Sequence, residues 1–422
     1  MLVRARDVWR SSPAARLGLT AVAMVAVAEG AVLLLAPSEQ GIAPLPVETT
    51  DYLTPAEIAR AEDYRDGQRL LLLAGLGAQA LAVGALAVGR PRSLRGVLGG
   101  LATRRWAGPA AAGILVIGAA ELAALPTSVA AHERAVDAGI STQSLGPWLL
   151  DYGRSALIGA LIAAGGATLL AGLVRRFPRR WWLPAAAGTV GLGAALTLLA
   201  PVVIAPRFND FDRLPDGSRL RADVVELGRR AGVDVDQVYR VDASRRSSTL
   251  NAYVAGLGPT KRVVLYDNLI DDADRAELES VVAHELGHVA HSDVPRGIAF
   301  AAIVAPFGLL FAREIAGGLA RRASAEPGSA ASVPAYLLAL AVTAFMLGVP
   351  GNQLSREVEA SADAFALRIT DDPQGMIDLQ VRLARANLSD PDPPALYRAL
   401  FATHPTTTQR IGSALAWERG ER

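Results

Sequence analysis

Three of the chain's five histidines lie within eight residues, in the segment VVAHELGHVAHSD at positions 281–293. The residues before it place acids in a first turn and then apolar residues at helical spacing, which predicts a helix. Positions i and i+4 share one helix face, so His284 and His288 point the same way and could hold one cation. Glu285 is offset by about 100° around the same helix. The segment therefore predicts a metal site with a carboxylate beside it.

The pattern H-E-x-x-H on a helix is typical of zinc metalloproteases, in which two histidines bind the metal and the glutamate acts on a water. The chain has no cysteine, so nitrogen and oxygen must supply every ligand. Gly287 costs helix stability, roughly 1 kcal/mol relative to Ala. A purely structural helix has little reason to keep it, although a small residue permits close approach by another segment. His291 falls on the same face, and we interpret it as a neighbour of the site or a surface residue.

The third ligand must come from elsewhere if a fourth position is to stay open for water. The metzincin pattern requires a histidine six residues after the second one, but Val294 stands there, which leaves a glutamate on a separate helix. The segment NQLSREVEASADAFALRI (352–369) offers Glu359 and Asp363 at i and i+4. Glu359 would bind the metal, while Asp363 would accept a hydrogen bond from a ligating histidine and fix its tautomer. Glu357 competes, but the residue four positions after it is a serine.

Apolar residues are concentrated in blocks long enough to cross a membrane. The chain has 422 residues, of which 51% are hydrophobic, and a mean hydropathy of +0.28; a spanning helix needs roughly 20 mostly apolar residues. Candidate spans are 17–36, 70–89, 108–125, 155–174, 182–205, 298–317 and 333–350. The first is too long for a signal peptide and lacks a clear cleavage site. Two acids within spans, Glu29 and Glu121, are expected near a helix end or hydrogen-bonded inside the bundle.

The arginine distribution predicts the orientation, because short cytoplasmic loops are enriched in basic residues. The arginine-rich parts are the N-terminus (Arg4, Arg6, Arg10, Arg16), 90–107, 175–180 and 321–322. Acids outnumber bases in the alternating loops 37–69 and 126–154. The polar segments 206–297 and 351–422 would then share the extracytoplasmic face. A bias towards Ala, Gly and Arg, with Lys261 the one lysine, favours a bacterial cell membrane.

The segment VVAHELGHVAHSDV, followed by a span pair and then SREVEASAD, resembles the membrane-embedded gluzincins. These comprise the type I CAAX prenyl endopeptidases and the smaller HtpX-type quality-control proteases. Seven spans, with the histidine motif between the fifth and sixth and the glutamate after the seventh, resemble the CAAX-type architecture over nearly the whole chain. HtpX-type proteins have fewer spans and match only the catalytic half. The resemblance implies a zincin-like catalytic fold and one Zn²⁺ per chain.

The resemblance also assigns residues outside the histidine helix. TLNAYVAGLGPTKRVVLYDNLID (249–271) resembles the family's edge-strand region, and its β-branched and aromatic residues independently favour a strand after the turn GLGPT. Such a strand can pair with an extended substrate through main-chain hydrogen bonds, and Asn251 matches a family asparagine near the substrate backbone. THPTTTQRI (403–411) resembles the family's C-terminal H-P…R motif. By that match His404 would stabilise the oxyanion and Arg410 would support it.

The predicted fold class is mainly α, a polytopic membrane bundle of about seven spans with a zincin-like α+β catalytic domain formed by two extramembrane segments. The predicted division is 1–205 with five spans, 206–297 with the edge strand and H-E-x-x-H helix, 298–350 with two spans, and 351–422 with the E-x-x-x-D helix.

The predicted function is that of a zinc endopeptidase acting on a peptide or protein substrate associated with the membrane. The ligands would be His284, His288 and Glu359, with Glu285 as general base. A net charge of +1 gives no field that would draw in nucleic acid. One alternative keeps the chemistry but degrades misfolded membrane proteins, as HtpX-type proteases do. Another, a zinc-containing membrane sensor, would need a cytoplasmic effector domain that the short inside loops do not provide.

Overall fold

The computed structural model describes residues 12–89, 91–101, 104–256 and 261–421. Within them, seven helices are long and apolar enough to cross a membrane, which confirms the predicted number of spans. In chain order the helices are α1 (Pro13–Leu35), α2 (Pro55–Ala87), α3 (Arg92–Leu101), α4 (Ala107–Asp137), α5 (Leu145–Arg176), α6 (Trp182–Leu199), α7 (Arg219–Arg230), α8 (Asp267–Asp272), α9 (Arg275–Ala290), α10 (Asp293–Arg322), α11 (Val333–Thr370), α12 (Pro373–Ala386), α13 (Ala395–Phe401) and α14 (Thr407–Glu418). The spans are α1, α2, α4, α5, α6, α10 and α11.

Several spanning helices extend well beyond their apolar blocks. Helix α5 has 32 residues, about 48 Å at 1.5 Å per residue, against about 30 Å of bilayer hydrocarbon. Helix α2 begins at a capping box between Thr54 and Glu57, and α4 ends where Gly139 adopts a φ of 78°. The helices therefore end where local backbone groups are capped, and their polar turns project towards the catalytic segments.

A four-stranded sheet lies in the extramembrane domain that the sequence predicts to be catalytic, called the catalytic domain below. The strands β1 (Phe211–Arg213), β2 (Val238–Val241), β3 (Ala252–Ala255) and β4 (Arg262–Tyr266) lie in the order β1-β2-β4-β3. Strand β3 is antiparallel to β4 and has no strand on its other side in the described sheet. The hydrophobic core between sheet and helices includes Val238, Leu265, Leu286, Leu367 and Leu379. The strand predicted after the turn is present as β4, but its assignment as the edge strand is wrong, because β4 is paired with β2 on one side and β3 on the other. The edge is β3, which precedes the turn in the chain.

Both helices that carry the candidate metal ligands continue directly into spans. Helix α9 ends at Ala290 and the span α10 begins at Asp293, with Ser292 between them in the left-handed region at φ 57°. Helix α11 has 38 residues and runs from the seventh span into the catalytic domain without a break. The boundary predicted near 350 therefore lies within one continuous helix.

The loop between the first two spans, residues 36–54, packs on the catalytic domain, which the sequence did not reveal. We call it the first-loop strap. The backbone N–H of Leu45 donates to the carbonyl of Gly412 at 3.2 Å, and Ser413 donates to the carbonyl of Ile42 at 3.0 Å. A Cβ built on Gly412 would lie 2.3 Å from the carbonyl oxygen of Leu45. The strap thus adds a third contribution to a domain expected from two segments.

The two acids within spans differ. Tyr152 donates a hydrogen bond to the carboxylate of Glu121 at 2.7 Å, as expected for a side chain inside the bundle. Glu29 is exposed on α1, six residues before its end, and has no hydrogen bond among the described residues, so of the two expected environments it does not have the hydrogen-bonded one. Arg4, Arg6, Arg10 and most of the predicted turn at 256–260 lie outside the described residues.

Candidate metal centre

The N-terminus of helix α9, the helix that carries His284 and His288, is capped by side chains. Asp274 accepts from the backbone N–H of Glu277 at 3.0 Å, and the Glu277 carboxylate accepts from the N–H of Asp274 at 2.8 Å. This reciprocal pair satisfies two N–H groups that no helical carbonyl can reach. Glu277 is buried and also accepts from Arg382 of α12 at 2.7 Å. The cap and the ion pair together fix where the histidine face of α9 points.

The structure brings His284, His288 and Glu359 together, with one potential ligand atom from each within 4.8 Å of the others. The two histidine Nε2 atoms are 3.2 Å apart. Glu359 places Oε2 at 3.2 Å from His284 Nε2 and Oε1 at 3.6 Å from His288 Nε2. Ligands about 2.05 Å from a tetrahedral zinc ion are separated by about 3.3 Å. The separation of the two Nε2 atoms and that of His284 Nε2 from Glu359 Oε2, both 3.2 Å, match that spacing, while His288 lies nearer the other oxygen of the carboxylate.

Carboxylates on the far side of both rings make the Nε2 atoms acceptors. His284 Nδ1 lies 2.8 Å from Asp363, and His288 Nδ1 lies 2.9 Å from Asp293. We assign the ring protons to Nδ1, where each carboxylate accepts one, so both Nε2 lone pairs face each other. The Oε2 of Glu359 is buried and faces the ring of His284. Two ring nitrogens and a carboxylate that converge on one point fit a metal cation.

Asp293 was not assigned a role from the sequence. It stands five residues after His288, beyond the helical i+4 reach, and returns towards the ring because Ser292 turns the chain between α9 and α10. An acid directly at the start of the next helix was the available signal.

Arg410 reinforces the carboxylate behind His284 rather than contacting His404. Its Nε donates to Asp363 at 2.9 Å, and its Nη2 contacts the same carboxylate. Burial disfavours the charged form of Arg410, but the charge of Asp363 outweighs burial and raises its pKa. Burial likewise disfavours the imidazolium of His284, yet the hydrogen bond and charge of Asp363 raise the pKa of His284 to about 10. The surroundings of this ring thus favour positive charge at Nε2, which a bound metal cation would supply in place of a proton.

Glu285 lies between the histidines and the edge strand. Its Oε2 accepts a hydrogen bond from the backbone N–H of Val254 in β3 at 3.2 Å. Asn251 precedes that strand and is exposed, its Oδ1 accepting from the N–H of Ala252 at 2.9 Å. Its carbonyl accepts from the N–H of Tyr266 in β4. The Glu285 carboxylate and the edge of β3 therefore lie together on one side of the histidines.

The remaining candidates divide between those at the site and those outside it. His404 places Nδ1 2.8 Å from Glu359 Oε2, and its side chain is 62% exposed, so it lies at the mouth of the site. His291 instead places Nε2 3.3 Å from Glu39 of the first-loop strap, with Nδ1 near Ser361. Glu357 accepts from Gln353 and is not among the three grouped residues.

Comparison with known proteins identifies the family. The pattern of Peptidase family M48 matches residues 216–418, and that of the CAAX prenyl protease N-terminal region, five membrane helices, matches residues 40–210. The uncharacterized metalloprotease YhfN of Bacillus subtilis is 31% identical over 300 residues, covering 69% of this chain and 70% of YhfN. The chain belongs to peptidase family M48. Membership of M48 makes it an integral-membrane metalloendopeptidase, and the family implies a bound metal.

Other M48 relatives agree. The CAAX prenyl protease 1 homolog of Oryza sativa is 32% identical over 232 residues, and the match covers 53% of each chain, so this chain spans about half the length of that relative. The crystal structure of S. mikatae Ste24p superposes with a TM-score of 0.72 at 20% identity, covering 94% of this chain and 98% of that chain, which shows the shared fold. The matched five-helix N-terminal region favours the CAAX-type architecture over the shorter HtpX type.

Proposed function

We propose that this M48 protein is a zinc-dependent endopeptidase that cleaves membrane-associated peptides or proteins. The observation that carries the proposal is the convergence of His284, His288 and Glu359 towards one point, beside the carboxylate of Glu285. Nitrogen and oxygen ligands in a tetrahedral arrangement with one position open are those of catalytic zinc, one ion per chain.

Zinc bound there would polarise the scissile carbonyl and lower the pKa of a water towards about 7. Glu285 would accept the proton of the attacking water and deliver it to the leaving amine. Asp363 and Asp293 would hold the rings of His284 and His288 in the Nδ1–H tautomer. His404, exposed at the mouth of the site, would donate to the developing oxyanion.

The edge of β3 is suited to hold an extended substrate. Asn251 bonds to β4 through its carbonyl, and alternation along an antiparallel pair turns the N–H of Val254 away from β4. That N–H reaches Glu285, so it lies at the catalytic side of the sheet. A peptide paired antiparallel with this edge would pass Asn251 and bring its backbone against Glu285.

We further propose that this chain works at the extracytoplasmic face of a bacterial cell membrane. The arginine-rich ends of α5 and α10, at 175–176 and 321–322, lie at the membrane side opposite the catalytic segments. The division into membrane parts 1–205 and 298–350 and catalytic segments 206–297 and 351–422 belongs to the same proposal. CAAX processing, named for the relatives, is not extended to this chain because of that orientation.

The test compares wild type with Glu285→Gln, both in detergent and loaded with zinc, on an unfolded model protein. Glu279→Gln is the matched control, because Glu279 lies on the same helix and pairs with Arg275 at 2.7 Å away from the site. We expect zinc in all three proteins and cleavage by wild type and the control alone. Removing a general base typically costs a factor of 10² to 10⁴ in rate. Equal cleavage by Glu285→Gln would refute the assigned role.

A further inference from the structure

A polar pocket of about 560 Å³ lies where the membrane bundle meets the catalytic domain, away from the metal centre. Three segments form its wall: the loop and first turns of α5 (142–154), the chain after the fifth span (206–210), and the catalytic-domain turn at 245–246. We call it the interfacial pocket. Its lining contains four arginines and two aspartates, which are Arg154, Arg207, Arg245, Arg246, Asp151 and Asp210.

The positive charge of the interfacial pocket is only partly compensated. Asp151 is shared between Arg154 at 2.8 Å and Arg246 at 2.9 Å. Arg207 is exposed and has no hydrogen bond or ion pair among the residues that the structure describes. Three guanidinium groups therefore face one carboxylate on this side of the pocket. Arg245, in contrast, is paired with two acids, Asp210 and Asp242.

The helix lengths place Arg154 and Arg207 at the level of lipid headgroups. Twenty residues of helix cross the roughly 30 Å of hydrocarbon. Arg175 stands at the other end of α5, and the residue twenty positions before it is 155, next to Arg154. From Arg180 to Arg207 is 27 residues of nearly continuous helical chain, about 40 Å, which equals a bilayer with its headgroups. Both guanidinium groups thus lie just outside the hydrocarbon, on the catalytic side.

Arg154 also stands within the lipid-facing stripe of α5. Leu150, Leu157 and Leu161 are exposed by 65%, 61% and 61%, and with Arg154 they occupy positions i, i+4, i+7 and i+11 of one helix face. The side chain of Arg154 is itself 56% exposed. A phosphate at Arg154 would therefore be continuous with an apolar track that runs along the helix into the hydrocarbon.

We propose that the interfacial pocket binds one anionic phospholipid. Its phosphate lies between Arg154 and Arg207, and an acyl chain follows Leu157 and Leu161. Guanidinium groups suit phosphate oxygens because they donate two parallel hydrogen bonds. The apolar track favours a phospholipid over a soluble anion, since a free phosphate makes no use of exposed leucines. The bound lipid would bridge α5, the end of the fifth span and the catalytic domain.

The test uses native mass spectrometry of the full-length protein in a zwitterionic detergent, titrated with phosphatidylglycerol, phosphatidylcholine or sodium phosphate. Wild type should retain one phosphatidylglycerol per chain in preference to phosphatidylcholine. Arg154→Gln/Arg207→Gln should weaken that binding about 30-fold, at about fivefold per interfacial arginine. Arg176→Gln/Arg179→Gln, two exposed arginines at the opposite membrane surface, is the matched control and should bind like wild type.

Arg207→Gln alone guards against misfolding of the double variant, because Arg207 is exposed and has no described partner. It should lose about fivefold in affinity with an unchanged melting temperature. Equal retention of the two phospholipids by wild type, or full retention by either pocket variant, would overturn the proposal. Binding of sodium phosphate in place of phospholipid, with the same arginine dependence, would also overturn it by showing a soluble-anion site.

Discussion

Adding one methyl group at Gly287 should weaken metal binding while leaving the stability of the fold nearly unchanged. A Cβ there would lie 3.3 Å from Ala362 Cα and from Phe365 Cβ of helix α11, whereas unstrained carbon contacts lie near 3.5–4.0 Å. Gly287→Ala should therefore push α9 and α11 apart by roughly 0.3–0.5 Å. The ligands move with those helices, since His284 is on α9 and Glu359 is on α11.

The expected loss follows from the distances at the site. His284 Nε2 and Glu359 Oε2 are now 3.2 Å apart, and a shift of about 0.4 Å exceeds the roughly 0.2 Å tolerance of metal–ligand distances. We expect zinc affinity to fall by about 10- to 100-fold, as after loss of a residue that orients a ligand. Fold stability should change little, because alanine favours a helix by up to about 1 kcal/mol over glycine and offsets the strain.

Zinc affinity would be measured by competition with a chelator, peptide hydrolysis at saturating zinc, and stability by thermal unfolding. Gly297→Ala is the matched control: Gly297 is in helix α10, close in sequence to the site, and a Cβ there meets nothing within 4 Å. The control should keep its zinc affinity. A Gly287→Ala protein that binds zinc within twofold of wild type would refute the claim that this glycine sets the distance between the ligand helices.

Three further outcomes are expected. Asp293→Asn should lower zinc affinity about 10- to 100-fold while the fold is kept, because an amide can donate to the His288 ring as well as accept from it and no longer fixes the tautomer. Chelator competition measures the affinity, and an unchanged value would contradict that role. The chain has no cysteine, and the side chain of Arg229 is 72% exposed. In intact bacteria, a membrane-impermeant maleimide should therefore label Arg229→Cys, but should label Arg176→Cys only after permeabilisation. The reverse labelling pattern would show the opposite orientation. Burial raises the pKa of Asp267, but hydrogen bonds from Ser244 and Asn268 outweigh burial and lower this pKa below its value in the unfolded chain. The ionised Asp267 therefore stabilises the fold above about pH 4, and this contribution is lost as the pH falls through the folded pKa. Asp267→Asn should accordingly flatten the acid side of a plot of thermal stability against pH, and an unchanged slope would count against it.

Local periodicity carried most of what the sequence predicted. Spans are visible because about 20 apolar residues in succession have few other uses, and His284 and His288 are visible because i and i+4 share a helix face. The same spacing pointed to Glu359 and Asp363, which the structure brings to the histidines. Each inference needed only one element whose geometry is fixed by its own backbone.

What the sequence hid depends on contacts between distant segments. Asp293 reaches His288 only because Ser292 adopts a left-handed conformation, which nothing in a serine announces. The first-loop strap meets α14 more than 350 positions later, as in the Ser413 to Ile42 hydrogen bond. Such contacts depend on how the helices pack in three dimensions, and no periodic pattern in a single sequence indicates that packing.

Helix α11 makes the bilayer part of the catalytic geometry. It runs unbroken from Val333 in the membrane to Thr370, and Glu359 stands 26 residues along it, about 39 Å from its start. One degree of tilt about the start of this helix moves Glu359 sideways by about 0.7 Å, more than the roughly 0.5 Å within which a functional constellation must be held. Bilayer thickness alters the tilt of spanning helices. Membrane thickness should therefore change the position of Glu359 relative to the histidines, so that lipids of different chain length alter the turnover rate without contacting the active site.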